Sequence, residues 1–341
     1  MTNASWQPPD SSRAGATLET FILEGMYKSP AATGTFTSLL NQIALAAKLI
    51  AGRVRRAGLA DVLGWTGETN VQGEYVQKLD VIANDTMISV LRRRGHCMGL
   101  ASEELDDPVL FPDATGGYLV TTDPLDGSSN IDVDVSIGTI FGILRVDKSE
   151  LPVETKTFLK PGRDLAAAGY VIYGSSTVLV LTTGQGVHGF TWDPSAGEFF
   201  LSHENIRCPK KGNLYSVNEG NFERWSEGVR RWNAHLKKLD KSDGRPYSHR
   251  YVGSLVADAH RTLLKGGIFA YPADLKNPNG KLRLLYEANP FAFIFEAAGG
   301  MASTGKGRVL DVVPGELHQR VPLIIGSTED VKTFERFVSE D

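Results

Sequence analysis

The run Gly117-Tyr118-Leu119-Val120-Thr121-Thr122 leads directly into Asp123-Pro124-Leu125-Asp126-Gly127-Ser128-Ser129-Asn130. β-Branched and aromatic residues dominate the first segment, so it reads as a strand. Pro124 fixes φ and gives no N–H to a ladder, so the strand is expected to stop there and the chain to turn. Two carboxylates three residues apart across such a turn can converge on one hard cation, with the Leu125 carbonyl as a further oxygen ligand. Gly127 lets the backbone come close to a ligand, while Ser128 and Ser129 bring hydroxyls and N–H groups. A helical turn starting there makes an anion site. Cation ligands beside phosphate donors point to a metal-assisted phosphatase. Taken alone, Asp126-Gly127 is equally a turn and Asp123 a cap. The rest of the chain has to decide.

Apolar positions Leu39, Leu40, Ile43, Ala47, Ile50 and Val54 fall at helical spacing from Phe36 to a stop at Gly58. Thr33-Gly34-Thr35 precedes them as a capped start that could also hold a phosphate. Leu59 to Gly73 is rich in Gly, Thr and Asn and reads as a long exposed loop, uncommon unless functional or mobile. A second amphipathic helix carries Leu79, Ile82, Ala83 and Val90, with Arg92-Arg93-Arg94 as a solvated, dipole-favoured end. Met98 to Ser102 reads as a strand that delivers Glu103-Glu104. Further strands are expected at Ile137–Val146, Ala166–Tyr173, Thr177–Thr182, Val187–Trp192 and Glu198–Leu201, the last two joined by an Asp-Pro-Ser-Ala-Gly turn. Helices follow at Leu255–Lys265 and Pro290–Ala298. The chain ends in a strand at Pro322–Gly326 and a helix capped by Ser327 with Asp330 three residues on. This mixture predicts a layered α/β architecture.

The 341 residues suffice for one large α/β unit or two domains sharing an extended sheet. A net charge of -4 leaves no basic footprint for nucleic acid. No apolar run approaches the roughly 18 residues a membrane helix needs. Cys97 and Cys208 are the only cysteines, with no CxxC, so neither a disulfide framework nor a zinc cluster is available and a reduced, cytoplasmic setting fits. Residues 1–16 read as a disordered lead-in, polar and unlike a signal peptide.

Carboxylates stand in four places that could meet: Asp80, Glu103-Glu104, Asp123 with Asp126, and Glu287. Phosphate-ester hydrolysis needs such a cluster, because bound divalent ions hold phosphoryl oxygens, activate water and stabilise the leaving alkoxide. A further carboxylate can take the water's proton. Adjacent Glu103 and Glu104 repel unless a cation lies between them. Gly184-Gln185-Gly186-Val187-His188-Gly189 matches GxGxxG, but strand rather than helix follows it, which argues against a dinucleotide site. The seven histidines are scattered without ligand spacing.

With Gln77-Lys78-Leu79-Asp80, Ser102-Glu103-Glu104, the Asp123–Asp132 run, Ser136–Gly142, Ala167–Tyr170, Val217–Gly220, Arg250–Ser254 and Gly280–Glu287 in place, the chain resembles the class I fructose-1,6-bisphosphatases, within the lithium-sensitive sugar and inositol phosphatase superfamily. The similarity covers nearly everything from about Leu18 onward. It implies a layered α-β-α-β-α fold. Residues 17–207 would form a regulatory and metal-binding half, and 208–341 a sugar-phosphate-binding half. The implied reaction is hydrolysis of the 1-phosphate of fructose 1,6-bisphosphate in gluconeogenesis, by a homotetramer using two to three Mg²⁺ per subunit, or Mn²⁺. Related activities on sedoheptulose bisphosphate or inositol phosphate, and a catalytically weak sensing scaffold, are the alternatives.

By position, the resemblance assigns metal binding to Glu103, Asp123, Asp126, Glu287 and the Leu125 carbonyl. Water activation falls to Glu104, with Asp80 and Glu74 nearby. Gly127, Ser128 and Ser129, beside Asp126, would hold the 1-phosphate. Asn218, Tyr251, Tyr271 and Lys281 would hold the sugar and 6-phosphate, with Arg250 supplied by a neighbouring subunit. An AMP effector site is implied at Thr33, Gly34 and Thr37, with Tyr118 and Arg145 around the nucleotide. Gly117 stands where a phosphate-binding lysine is usual, and Thr35 where a glutamate is usual.

Overall fold

The computed structural model describes residues 15–27, 34–57, 59, 65–69 and 75–341. Thr33, Glu74 and most of the lead-in lie outside them. Helix α1 (Leu18–Tyr27) precedes α2 (Thr35–Val54), whose helically spaced Leu39, Leu40, Ile43, Ala47 and Ile50 are all buried. Helix α3 (Lys78–Arg92) packs beside α2, and the Gln42 amide donates to the Val90 carbonyl across the pair at 2.8 Å. Arg92, Arg93 and Arg94 are exposed at its end.

The segment read as loop, residues 59–73, contains β1 (Trp65–Thr69), which pairs antiparallel with β2 (Tyr75–Gln77) just beyond it. The β-forming Trp65, Thr66, Thr69, Tyr75 and Val76 are interspersed with glycine, so composition masked a backbone pairing.

Eight further strands form one sheet: β3 (Cys97–Ser102), β4 (Val109–Leu110), β5 (Tyr118–Asp126), β6 (Ile137–Arg145), β7 (Leu165–Tyr173), β8 (Thr177–Thr182), β9 (Val187–Asp193) and β10 (Glu198–His203). Their order is β10-β9-β8-β7-β6-β5-β3-β4, with β3 and β5 the parallel pair. A five-stranded sheet runs β12 (Ser248–His249), β11 (Leu214–Ser216), β13 (Ile268–Tyr271), β17 (Leu323–Gly326), β15 (Met301–Ser303). Strands β14 (Leu282–Arg283) and β16 (Arg320–Val321) pair separately.

Alternation along the strands sorts side chains into layers. Val120, Phe141, Ile143, Leu179 and Leu181 face α2 and α3, whereas Leu119, Ile140, Leu144, Val178 and Val180 face the opposite side. There they pack on α5 (Leu255–Lys265) and α6 (Asn289–Ala297), which also receive Phe269, Leu323 and Ile325 of the second sheet. Ile268, Ala270 and Ile324 point away, onto α4 (Glu227–Lys237) and α7 (Thr328–Ser339). The layers therefore run α-β-α-β-α. Covered on both faces, the strands read as continuous apolar runs.

Two sequence expectations fail locally. Strand β5 does not stop before Pro124 but continues to Asp126, with its register against β6 shifting between Asp123 and Asp126. A bulge tolerates proline because the ladder is already interrupted, and the Thr139 hydroxyl donates to the Pro124 carbonyl at 2.8 Å. Ser327 sits at the N-cap of α7, yet its hydroxyl accepts from the Gly267 N–H at 3.0 Å, while Asp330 accepts from Gly212 N–H and Tyr247 OH. Buried donors on neighbouring segments claim both side chains from the cap.

Candidate active site

Because β3 and β5 are parallel, their C-terminal ends open on the same edge of the sheet. Ser102 pairs with Thr122, and the Glu103 N–H donates to the Thr122 carbonyl at 3.0 Å, so Glu103 and Asp123 leave the sheet side by side. Glu287 arrives from a π-helical turn, Leu284–Ala288, between β14 and α6. One carboxylate oxygen each from Glu103, Asp123 and Glu287 lie within 4.8 Å of one another, all three residues buried. Such an all-oxygen, acidic set suits a hard divalent cation.

The electrostatics carry the same signature. Burial, then the negative charges of Glu103, Asp126 and Glu287, push the Asp123 carboxyl well above the carboxylate range. Burial also raises Asp126 to about 7, against the lowering effect of its bond from Val256 N–H. Like charges gathered in a dry place need a cation or protons. Here Arg283 supplies part of the counter-charge: its Nη1 lies 2.9 Å from Glu103 Oε1, and its backbone N–H donates to Glu287 Oε2 at 2.6 Å.

Asp126 lines the same cleft without joining the trio. Its Oδ2 accepts from Val256 N–H (2.8 Å) and the Ser254 hydroxyl (3.3 Å) at the start of α5. Leu125 N–H donates to Asp123 Oδ1 at 3.0 Å, which fixes the bulge backbone whose carbonyls are candidate ligands. Gly127 follows in the left-handed region (φ 78°), and a Cβ there would press on Ser254 at 3.2 Å. Ser128 then opens a 3₁₀ turn (Ser128–Val133), so the first N–H groups of the turn have no acceptor within it.

Glu104 and Asp80 reach this cleft of about 510 Å³ as well. Asp80 Oδ2 accepts from Gln77 N–H at 2.9 Å, which caps α3. Tyr251, Tyr271 and Lys281 form the far wall. The Lys281 amine lies 5.9 Å from the centre of the Tyr271 ring, and burial followed by Tyr271 pushes the Tyr251 phenol up to about 12. Asn218 is hydrogen-bonded to Tyr251 from outside the lining. Arg250 is exposed and does not line the cleft.

Sequence reasoning gave no role to Arg283, Ser254 or Asp258. The i,i+4 spacing of Arg283 and Glu287 was a readable signal for an ion pair. Ser254 and Asp258 had none stronger than a helix start.

A second grouping lies at the head of α2. Gly34 is its left-handed N-cap, Thr37 is buried in its first turn, and Phe36 packs on Tyr118 with ring centres 5.5 Å apart. The Arg145 guanidinium lies 3.4 Å from the Tyr118 hydroxyl. Gly117, beside it, has φ 76°, a conformation a lysine adopts only under strain. The Gly184–Gly189 run is the turn into β9 followed by strand, with no helix to bind a dinucleotide.

Residues 16–204 match the family described as "Fructose-1-6-bisphosphatase, N-terminal domain", and residues 208–339 its C-terminal domain. A Sorangium cellulosum protein named "Fructose-1,6-bisphosphatase class 1" is 67% identical over 337 residues, 98% of this chain and 97% of that protein. A protein of the same name from Chlorobium phaeobacteroides is 55% identical over 324 residues, 94% of this chain and 97% of that one. Among solved structures, the Leishmania major fructose-1,6-bisphosphatase in holo form is similar with a TM-score of 0.90 and 42% identity, covering 95% of this chain and 99% of that one. The same protein in T-state gives 0.85 and 41%, covering 95% and 98%.

Proposed function

The chain belongs to the class 1 fructose-1,6-bisphosphatase family, and from that premise we propose that it hydrolyses the 1-phosphate of fructose 1,6-bisphosphate to fructose 6-phosphate and phosphate. The observation that carries this reading is the convergence of buried Glu103, Asp123 and Glu287 beside the Gly127 turn, opposite a wall of Tyr251, Tyr271 and Lys281.

Glu103, Asp123, Asp126, Glu287 and the Leu125 carbonyl are the groups to hold two to three Mg²⁺ ions, with Mn²⁺ the alternative. Bound there, the metal supplies Lewis-acid charge and a water acidic enough to attack. Glu104, half-buried in the same cleft, is placed to accept the water's proton, with Asp80 behind it. Gly127, Ser128 and Ser129 bind the 1-phosphate through backbone and hydroxyl donors. Tyr251, Tyr271, Lys281 and Asn218 orient the sugar and the 6-phosphate. Arg250, exposed on this chain, fits a role in a neighbour's site within a homotetramer. Cys97 and Cys208, both free and buried, support a reducing compartment.

The test is phosphate release from fructose 1,6-bisphosphate, sedoheptulose 1,7-bisphosphate and inositol phosphate, each with Mg²⁺ and with excess chelator. Fructose 1,6-bisphosphate is expected to be preferred and chelation to abolish turnover. Full turnover in chelator, or a preference for either other substrate, overturns the reading; no turnover at all favours a sensing scaffold.

AMP inhibition is proposed at the head of α2. Its support is the helix N-terminus with Gly34 and Thr37 beside the Tyr118–Arg145 pair. Gly117 offers no ammonium, so binding should be weaker by about 1–3 kcal/mol, the scale of one hydrogen bond to a charged group. Thr35 in place of an acid removes a repulsion and offsets part of that. A saturating AMP titration that leaves turnover unchanged, with no nucleotide bound, removes the site.

A further inference from the structure

We propose that Asp258 is the positioning residue for the segment 250–253 and thereby for recognition of the substrate's second phosphate. This rests on the assignment of Arg250 and Tyr251 to sugar-phosphate binding made above.

Asp258 lies one turn into α5 and is fully buried. An acid in a helix's first turn ordinarily serves that helix. This one serves the preceding segment instead. Val252 N–H donates to both carboxylate oxygens, at 3.1 and 3.0 Å, and Gly253 N–H donates to Oδ2 at 3.0 Å. The Arg261 guanidinium bonds to Oδ1 and also to the Arg250 carbonyl. The carboxylate thus sets the backbone at 252 and 253 and, through Arg261, the Arg250 carbonyl, while the Arg250 N–H is held separately by the Tyr215 carbonyl at 2.8 Å; residues 250–253 belong to no strand or helix.

That backbone aims two things. Upstream it carries Arg250 and Tyr251. Downstream the Gly253 carbonyl accepts from the Asn130 amide at 3.2 Å, on the turn that begins with Ser128. The contacts of Asp126 come from other groups, Ser254 Oγ and Val256 N–H. Asp258 makes no hydrogen bond to Asp126, but its charge faces that carboxyl and the Gly253 carbonyl anchors the Ser128 turn, so loss of the charge should weigh more on the second-phosphate side than on the metal side.

Asp258→Asn isolates the effect, because both oxygens face donors and an amide nitrogen at either place meets another N–H. KM for fructose 1,6-bisphosphate is expected to rise roughly 10- to 100-fold, the scale of a lost charge-assisted hydrogen bond. Turnover number should change by less than about threefold, and the rise in KM for fructose 1-phosphate, which lacks the second phosphate, should be clearly smaller than that for the bisphosphate. Arg261→Gln keeps the carboxylate but cuts the link to the Arg250 carbonyl, so it should shift KM in the same direction by less. If Asp258→Asn does not fold, Arg261→Gln decides alone. An unchanged KM for the bisphosphate, or an equal loss on both substrates, overturns the proposal in favour of a purely structural acid. A parent protein inactive on fructose 1,6-bisphosphate overturns the assignment beneath it, and this inference with it.

Discussion

Asp126 shows how one side chain can be held and still reactive: α5 donors saturate one oxygen while the residue lines the cleft beside the buried trio Glu103, Asp123 and Glu287. Its carboxyl, raised to about 7 by burial, is a charge the fold tolerates poorly. Asp126→Asn keeps an acceptor for Val256 N–H and removes that charge. Activity should fall by more than the roughly 10- to 100-fold that loss of an outer metal partner costs. The metal-free thermal midpoint should stay level or rise, because a repelling anion is gone. Activity loss with a lowered midpoint would assign Asp126 a structural role. At this scale the sequence was most legible where chemistry forces residue type. Glu103 and Glu104 repel unless a cation intervenes, and the structure separates them into a buried member of the trio and a half-buried group in the cleft. Arg283, by contrast, is readable only as a partner for Glu287 four residues on, and the fold buries it against Glu103 instead.

Elements explain what single residues could not. A π turn re-aims Glu287 into the cleft, and neither periodicity nor propensity announces such a widened turn. The bulge in β5 does the same for Asp123 and Asp126, where proline alone argued for a stop. Helix α5, whose limits were legible from its pattern and Gly266, supports the site at its start and carries His260 on its body. His260 Nδ1 shares a 2.7 Å hydrogen bond with the Tyr170 hydroxyl, and burial, then nearby His203, pulls its pKa down to about 4. Between pH 6.5 and 4 the unfolded chain therefore binds a proton that the folded chain refuses. Stability from this group is complete above pH 6.5 and is lost as pH falls, by on the order of 3 kcal/mol across the window. Urea midpoints at pH 7 and 4.5 should differ less in His260→Gln than in the parent. Equal acid sensitivity in the two proteins would place the titration elsewhere.

At the scale of the whole molecule, the layers were legible because strands buried on both faces read as largely apolar runs, whereas which strands run parallel is invisible to composition. Yet the parallel β3–β5 pair is what brings two acids to one edge. The third acid comes from the π turn after β14, within the helical layer that separates the two sheets. A cation bound by Glu103, Asp123 and Glu287 therefore ties distant parts of the chain and binds only when the layers are assembled. Such a ligand stabilises the folded state by mass action, about 2.7 kcal/mol at a free concentration one hundred times its Kd. Mg²⁺ should raise the thermal midpoint in a concentration-dependent way, and chelator should return it. Glu287→Gln should shrink that shift while raising the metal-free midpoint, since one of the crowded charges is removed. A midpoint indifferent to Mg²⁺ up to millimolar concentration would mean that Arg283 alone balances the cluster in the folded protein.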